Sequence, residues 1–284
     1  MSGARSQDGK PSTHGVLYLI PSTLGESELG HVLPALALET VRSLDGYIAE
    51  QAKTARAFLR RVGVKRPLNQ IFIQTLDEHT DARELPKLLE PVLRGSRIGL
   101  LSEAGYPAVA DPGGQLIALA HDRGVPVVPL VGPSSLLLAL AASGLNGQRF
   151  CFDGYLPIEA GARAARIREL EARSRREGSA QLFIEAPYRN NQLLAALLAT
   201  CSPDTRLCLA TQLTLPDERI RTQPIGAWRR AAPDLNRLPT VFVLQAGGPD
   251  LVNAVPATPS AAPKPRRLRR RNGGQSARPG SREA

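Results

Sequence analysis

The sequence predicts two α/β domains, the first built on a parallel sheet and the second on a mixed sheet. Three observations support this prediction. Short apolar runs alternate strictly with helical segments in the first half, the runs are apolar almost throughout, and the rhythm changes in the second half. At 284 residues, with 42% hydrophobic and 22% charged residues, the chain is long enough to bury two medium-sized cores.

The elements of the first half alternate between strand and helix. The stretch "GVLYLI" at 15–20 is a short apolar run stopped by Pro21, which is typical of a buried strand. The predicted elements that follow are a helix at 31–44, a strand at 45–50, a helix at 54–64, a strand at 69–76, a proline-interrupted helix at 81–93, a strand at 96–102, a helix at 114–124, a strand at 125–132 and a helix at 135–145.

The second half predicts a mixed sheet. Its segments "RLCLATQL" and "ERIRTQPI" are separated by the turn-like insert "TLPD", which favours an antiparallel pair. The predicted elements are a strand at 149–156, a helix at 162–177, a strand at 180–186, a helix at 191–200 and strands at 205–213, 218–225 and 239–246.

The two ends of the chain predict no packed structure. Residues 1–14 are polar, and 247–284 are rich in Pro, Gly, Ser, Ala and Arg and almost without aromatic residues, so neither segment buries enough surface to offset the entropy of ordering. Of the net charge of +10, the segment from residue 247 onward carries +6. We therefore expect a disordered arm at 1–14, α/β domains at 15–132 and 133–246, and a disordered basic tail at 247–284.

Composition and short motifs exclude several classes of protein. The three cysteines have no CxxC spacing and no nearby His pair, so we expect neither a disulfide framework nor a metal site. This cysteine usage favours a reducing compartment. The N-terminus has no apolar signal segment and no apolar run is long enough to span a bilayer, which predicts a soluble cytoplasmic protein without membrane contact. No GxGxxG follows the first strand and no GxxxxGK[ST] occurs, which disfavours an ordinary NAD-binding domain and a P-loop NTPase.

Three loops of similar chemistry follow predicted parallel strands. They read "PSTLGE" at 21–26, "SEAGYPAVADPG" at 102–113 and "VGPSS" at 131–135. Small residues let a ligand approach the main chain, and ligands of open parallel sheets bind beyond the carboxyl ends of the strands. Ser134 is placed to cap the following helix, whose positive end suits an anionic group. The alternative is that each loop is only a turn and Ser134 only a cap.

The order of these blocks resembles a known family. "SEAGYPAVADPGG", "VPVVPLVGPSSLLLALAASGLNGQRFCFDGYLP", "QLFIEAPYRNNQLLAAL" and "ATQLTLPDERIRTQPIGAW" are similar to blocks of the tetrapyrrole methylases, the class III S-adenosylmethionine methyltransferases. Within that family they look most like the subgroup that methylates ribose 2′-hydroxyls of small-subunit ribosomal RNA. The resemblance covers about residues 17–246.

The resemblance implies two α/β domains with S-adenosyl-L-methionine in the cleft between them, usually in a homodimer, and an RNA or small-subunit partner. It also implies a set of cofactor-binding positions, which come from the three loops and from a segment after a strand of the second domain. These positions are Pro21, Ser22, Ser102, Ala104, Gly105, Tyr106, Pro107, Gly132, Pro133, Ser134, Ser135, Gln212, Leu213 and Thr214.

Methyl transfer to a ribose hydroxyl benefits from a general base, and the candidates are Glu103, Glu185 and Glu50. Tyr188 and Arg189 are candidate substrate-orienting residues, Arg189 through a phosphate. Lys53 and Arg56 belong to a basic helical segment that we expect to face RNA. The alternatives are that Glu185 anchors a strand end, that Arg189 pairs locally, and that the basic segment is a solvated helix face.

The chain departs from the pattern of the subgroup at several polar positions. It has Glu26 where the subgroup has Asn, only Glu50 of an acidic-Thr-Arg run, Tyr188 for His, Gln212 for Glu and Leu215 for Lys. Three functions therefore stay open: a methyltransferase of ribosomal RNA, a methyltransferase of a tetrapyrrole or another small molecule, and a family member that binds cofactor or RNA without turnover.

Overall fold

The structure of the protein is a computed structural model that describes residues 14–247. The arm at 1–14 and the basic tail at 247–284 that the sequence predicts to be disordered therefore lie, except for His14 and Gly247, outside the described residues. None of the helices within 14–247 is both long enough and apolar enough to cross a membrane.

The first sheet has five parallel strands in the order β3-β2-β4-β1-β5, which confirms the predicted parallel sheet. Strand β4 is central, and β1 lies between β4 and β5, with Ile20 in register with Leu101. The strands are β1 (Val16–Ile20), β2 (Gly46–Ala49), β3 (Phe72–Thr75), β4 (Arg97–Leu101) and β5 (Val127–Pro129).

Helices cover both faces of this sheet. One buried cluster joins the sheet to α4 and α5 through residues such as Leu89 and Leu116, and another joins the opposite face to α2 and α3 through residues such as Val41 and Leu59. The helices are α1 (Leu29–Val32), α2 (Ala35–Arg42), α3 (Ala52–Val62), α4 (Leu85–Leu93) and α5 (Gly114–Asp122).

Pro34 changes the predicted helix at 31–44. It divides this segment into α1 and α2, because Pro34 is extended (ψ 148°) and its ring nitrogen has no hydrogen to donate to the preceding turn. The predicted helix at 81–93 likewise begins as a separate short turn, Ala82–Glu84, before α4.

The second sheet is mixed, as predicted, with the order β6-β7-β10-β8-β9. The pair β6 and β7 is parallel, and the other neighbours are antiparallel, including the predicted hairpin of β8 and β9. The strands are β6 (Phe150–Tyr155), β7 (Ala180–Ile184), β8 (Arg206–Thr211), β9 (Arg219–Pro224) and β10 (Thr240–Gln245).

Helices also cover the second sheet on both faces. Helix α6 packs on one face, and α7, α8 and α9 enclose the other, where the rings of Phe183 and Phe242 stack with centroids 5.7 Å apart. The helices are α6 (Ser135–Ser143), α7 (Ala160–Glu177), α8 (Asn190–Thr200) and α9 (Ile225–Arg230). The division of the chain at residues 132 and 133 stays a prediction.

Helix α9 was not predicted. It has six residues, too few to show a helical period, and it follows a strand segment without a break. Its Trp228 is buried and donates a hydrogen bond from Nε1 to Leu207 O (2.9 Å), so tertiary packing holds this short helix in place.

Candidate active site

The loops after β1 and β4 are joined through their main chains. Ser22 N donates to Gly105 O (2.8 Å) and Gly105 N donates to Ser22 O (3.3 Å), which forms an isolated antiparallel bridge. The Ser22 hydroxyl also donates to Ser102 O (2.7 Å). Because β1 and β4 are parallel neighbours, their carboxyl ends bring these two loops side by side.

The loop after β5 packs against the other two. A Cβ atom on Gly132 would lie 2.3 Å from Cγ of Pro21, and the hydroxyl of Tyr106 donates to Leu130 O (2.6 Å). The segments 21–26, 102–113 and 131–135 therefore form one continuous surface, which we call the shelf. Pro107 and Pro133 are buried within it.

The shelf contains strained backbone. Ala108 (φ +65°) and Ala110 (φ +63°) adopt left-handed backbone conformations. Gly105 (φ +69°) and Gly113 (φ +130°) also have positive φ, which costs a glycine little. A left-handed residue with a Cβ atom costs roughly 1–2 kcal/mol, and such residues concentrate at functional sites. The conformation of this loop is therefore imposed by its surroundings.

A cleft separates the shelf from the second sheet. It consists of two adjoining cavities of about 240 and 190 Å³, which share Ala104, Ser135, Tyr155 and Ile184 in their walls. Gly105 and Tyr106 contribute from the shelf, and Glu185, Ala210, Leu213 and Thr240 contribute from the ends of β7, β8 and β10. The cleft is thus built from both sheets.

The amino end of α6 opens into the cleft. Ser134 caps this helix by accepting a hydrogen bond from Leu137 N (3.5 Å), as predicted, and both Ser134 and Ser135 line the cleft. The first turn of a helix presents free N–H groups and a partial positive charge, so this end of the cleft suits an anionic group.

The turn after β8 contains a buried hydroxyl without a hydrogen-bond partner. Gln212 (φ +51°) and Thr214 (φ +68°) are left-handed, and Thr214 N donates to Glu218 Oε2 (2.7 Å). The hydroxyl Oγ1 of Thr214 is buried and has no hydrogen-bond partner among the described residues. A buried hydroxyl without a partner is costly, but Thr214 does not line the cleft, to which this turn contributes Leu213.

Ser22, Ser102 and Glu103 line a different cavity, of about 250 Å³, together with Thr54 and Arg61 on α3. This cavity accounts for the predicted cofactor-binding residues Ser22 and Ser102, which do not line the cleft. Pro21 and Gly132 hold the loops together by packing on each other. Of the predicted cofactor set, six residues line the cleft, Ser22 and Ser102 line this separate cavity, and Gln212 and Thr214 line neither.

The candidate bases Glu50 and Glu103 lie at the ends of neighbouring strands. The Thr54 hydroxyl donates to Glu103 Oε1 (2.6 Å). Burial, followed by the negative charge of Glu103 and then of Glu78 and Asp77, raises the pKa of Glu50. These carboxylates make the edge of the first sheet acidic.

The third candidate base, Glu185, is already paired. Its side chain is 2% exposed, and its Oε1 accepts hydrogen bonds from Arg189 Nε (3.0 Å), Arg189 Nη2 (2.6 Å) and Ala186 N (2.7 Å). The guanidinium of Arg189 also stacks over the ring of Tyr188, 67% of which is exposed. This placement suits Glu185 to hold Arg189 at the rim of the cleft.

Among the ionisable residues of the cleft, sequence reasoning missed two, Tyr155 and Asp111. Tyr155 lines both adjoining cavities, and burial, followed by the charges of Asp111 and Glu185, raises its pKa. Asp111 lines the cleft from the shelf. The signal for Asp111 was present in "ADPG", but an Asp before Pro-Gly is equally typical of an ordinary turn.

The predicted RNA-facing residues lie on α3, whose Thr54 contacts Glu103. Lys53 is exposed, and Arg56 is half-buried and donates to Ala52 O (3.4 Å). Two other basic residues of this region are tied to the main chain, since Arg61 donates to Ser27 O (2.5 Å) and Arg66 donates to Asp45 O (3.0 Å).

Comparisons with known proteins agree with this architecture. The family described as tetrapyrrole (corrin/porphyrin) methylases matches residues 31–228. The chain is 33% identical over 211 residues to ribosomal RNA small subunit methyltransferase I of Mesorhizobium japonicum, covering 74% of this chain and 68% of that protein. It is 30% identical over 240 residues to the protein of the same name from Escherichia coli O157:H7, covering 84% and 79%.

A solved structure shares the fold. The crystal structure of the methyltransferase CobJ matches with a TM-score of 0.55 at 18% identity, over 82% of this chain and 95% of that one. At this identity the likeness concerns the fold alone.

We expect Gly132→Ala to loosen the shelf, because the added Cβ atom collides with Pro21 and forces the loops after β1 and β5 apart. The expected loss is about 1–3 kcal/mol in the free energy of unfolding, measured by chemical denaturation. Gly147→Ala is the matched control, since a Cβ atom there meets nothing within 4 Å. Equal stability of the two variants would contradict the packing of Gly132 on Pro21.

Proposed function

Because the chain belongs to the tetrapyrrole methylase family, we propose that it transfers a methyl group from S-adenosyl-L-methionine to a ribose 2′-hydroxyl of small-subunit ribosomal RNA. The observation that carries the proposal is the cleft between the shelf and the second sheet, which is lined by small and apolar residues with a few polar groups. The relatives named ribosomal RNA small subunit methyltransferase I support the choice of acceptor.

The residues present fit this cofactor. The adjoining cavities of about 240 and 190 Å³ together reach the size range of small-molecule sites, roughly 300–1,000 Å³. The amino end of α6 suits the carboxylate of the amino-acid part. Gly105 keeps the shelf open to close approach of the ligand.

The protein has a limited chemical task. The bound cofactor supplies a methyl group already activated by its sulfonium centre, so the chain has to align the acceptor oxygen and exclude water. A general base from the carboxylates at the sheet edge, Glu50 or Glu103 among the predicted ones, assists loss of the hydroxyl proton. Glu185 holds Arg189, which together with Tyr188 orients the acceptor nucleotide by phosphate contact and stacking.

Helix α3 supplies the phosphate-binding surface in this proposal. Lys53 and Arg56 lie on α3 within two positions of Thr54. The hydroxyl of Thr54 contacts Glu103 at the end of the sheet. Contacts of this kind add affinity without sequence preference. The acidic carboxylates at the sheet edge then face the ribose and base rather than the phosphates.

We further propose a homodimer that works in the cytoplasm. Exposed apolar side chains of the shelf and α6, namely Val131, Leu137 and Leu138, support an interface at this place. All three cysteines are free, in keeping with a reducing compartment.

A small-molecule acceptor is the second candidate function. The family description itself, tetrapyrrole (corrin/porphyrin) methylases, favours it. Tyr188, Gln212 and Leu215 stand where the similar subgroup has His, Glu and Lys. The loss of these polar residues favours a third candidate function, binding of cofactor or RNA without turnover.

Labelled methyl transfer separates these functions. Purified protein with methyl-labelled cofactor is expected to label a ribose in unmodified small ribosomal subunits or their RNA, and to leave a porphyrinogen precursor unlabelled. Nuclease digestion and chromatography of the nucleosides locate the label. Label in the porphyrinogen alone supports the second function, and cofactor binding without label in either acceptor supports the third.

Calorimetry tests the place of the cofactor. Gly105→Val is expected to weaken cofactor binding at least about tenfold, because a β-branched residue is strained at φ +69° and its side chain narrows the shelf. Gly124→Val is the matched control, with nearly the same strain (φ +68°) in the turn before β5 and open space around it. Equal weakening in both variants would remove the shelf from the cofactor site.

Salt dependence tests helix α3. The double variant Lys53→Gln, Arg56→Gln is expected to bind the RNA more weakly and to lower the slope of log affinity against log salt by about 1 to 2, since each lost phosphate contact removes about 0.7 to 0.9. The double variant Lys87→Gln, Arg123→Gln removes two exposed charges on α4 and after α5, on the other face of the sheet. An unchanged slope in the first pair, or an equal change in both, contradicts an RNA-facing α3.

A further inference from the structure

Asp111 stands at the border of two cavities. It lines the cleft together with Gly105, Ser134 and Tyr155. It also lines a separate cavity of about 480 Å³, formed by the loop after β3 and the start of α5. A side chain in this position is accessible both from the cofactor side and from a side on which an acceptor can enter.

Asp111 is also the carboxylate of the cleft that has no cation. Among the described residues that line the cleft, the carboxylates are Asp111 and Glu185, and Glu185 is held by Arg189. None of the ion pairs within 14–247 includes Asp111. Its oxygens therefore remain available to accept a proton.

The groups around Asp111 increase its basicity. Burial, followed by the negative charges of Glu50 and Glu103, raises the pKa of Asp111 to about 6. The Ser102 hydroxyl opposes this by hydrogen bonding to the carboxylate, although Gly105 O (3.1 Å) competes for the same proton. Tyr155 of β6 lines the same cavity, and the charge of Asp111 contributes to raising the pKa of Tyr155. A carboxylate with a pKa near neutrality removes a proton more effectively than an ordinary one.

The backbone holds Asp111 in one orientation. The preceding Ala110 is left-handed (φ +63°), and the following Pro112 restricts Asp111 to extended conformations. Strain of this kind persists when the surroundings require the conformation, and it is common where a side chain must be positioned.

We propose that Asp111 is the general base of the methyl transfer, an inference that rests on the proposed function. The Asp111 carboxylate takes the proton of the acceptor ribose hydroxyl, while the hydroxyl oxygen forms the new bond to the methyl carbon. The bond from that carbon to sulfur breaks with its electron pair remaining on sulfur, which leaves a neutral thioether. The proton then leaves Asp111 for solvent through the neighbouring cavity.

The main test compares the wild type with Asp111→Asn in the full chain, with small-subunit RNA as acceptor. We expect kcat to fall about 10²- to 10⁴-fold, while the Kd of the cofactor measured by calorimetry changes less than about threefold. In the wild type, log kcat/KM should rise with unit slope below about pH 6 and level off above it, because only the ionised carboxylate accepts the proton. The Asn variant should lose this acidic limb.

Two further variants keep the test decisive if Asp111→Asn folds poorly. Ser102→Ala removes the hydrogen bond that lowers the pKa of Asp111, so the acidic limb should move to higher pH, a change that a purely structural role does not produce. Asp111→Glu should restore part of the lost rate. The control is Asp122→Asn, which removes an exposed carboxylate at the end of α5 that lines neither cavity, and which should leave the rate and the pH profile unchanged.

A readout independent of turnover is the carboxyl ¹³C resonance of Asp111, assigned by its absence in the Asn variant and titrated in the protein without ligands. A pKa near 6 supports the proposal, and a pKa below about 4.5 overturns it. A wild type that labels RNA together with an equally active Asn variant overturns the role of Asp111 alone. A wild type that labels no RNA overturns the proposed function and this inference with it.

Discussion

The architecture of the site depends on the main-chain pairing of Ser22 with Gly105. Strands β1 and β4 are parallel neighbours that end together at Ile20 and Leu101, so the loops that leave them run side by side. The two hydrogen bonds of the bridge satisfy backbone groups that would otherwise need partners. The Ser22 hydroxyl also donates a hydrogen bond to Ser102 O. With these groups paired inside the shelf, its outer side is left to face the second sheet.

The same pairing sets the electrostatics of the edge. It brings Glu103 beside Glu50 and holds the loop that carries Asp111, so three carboxylates share one end of the sheet. Burial, and after it the repulsion between these carboxylates, raises the pKa values of Glu50 and Asp111. An acidic edge repels phosphate, and an RNA acceptor therefore has to place its backbone elsewhere. The exposed face of α3 next to Glu103 offers cations for that purpose.

Sequence reasoning was most successful where chemistry is local. Short apolar runs predicted all ten strands found within residues 14–247, and the turn "TLPD" predicted the hairpin of β8 and β9. It failed where tertiary contacts decide. Helix α9 is held by the burial of Trp228. The Asp111 carboxylate has no ion-pair partner among the described residues, whereas Arg189 pairs with the other carboxylate of the cleft, Glu185. The first fact has no signature in spacing, because Trp228 packs on residues distant in the chain. The second rests on the local i,i+4 pair of Glu185 and Arg189, but only the fold brings that pair and Asp111 to the same cleft.

One departure from the family pattern, Leu215, is explained by its packing. Where the similar subgroup has lysine, this leucine packs its methyl groups against Gly25, so closely that a Cβ atom added to Gly25 would lie only 2.9 Å from Leu215 Cδ1. The substitution thus exchanges a cation for an apolar contact between the shelf and the turn after β8. It adds no positive charge near the cleft, and Gln212 likewise adds no negative one. Under these conditions the proton affinity of the cleft is governed by burial and by its remaining carboxylates, which is the setting that leaves Asp111 both unpaired and basic.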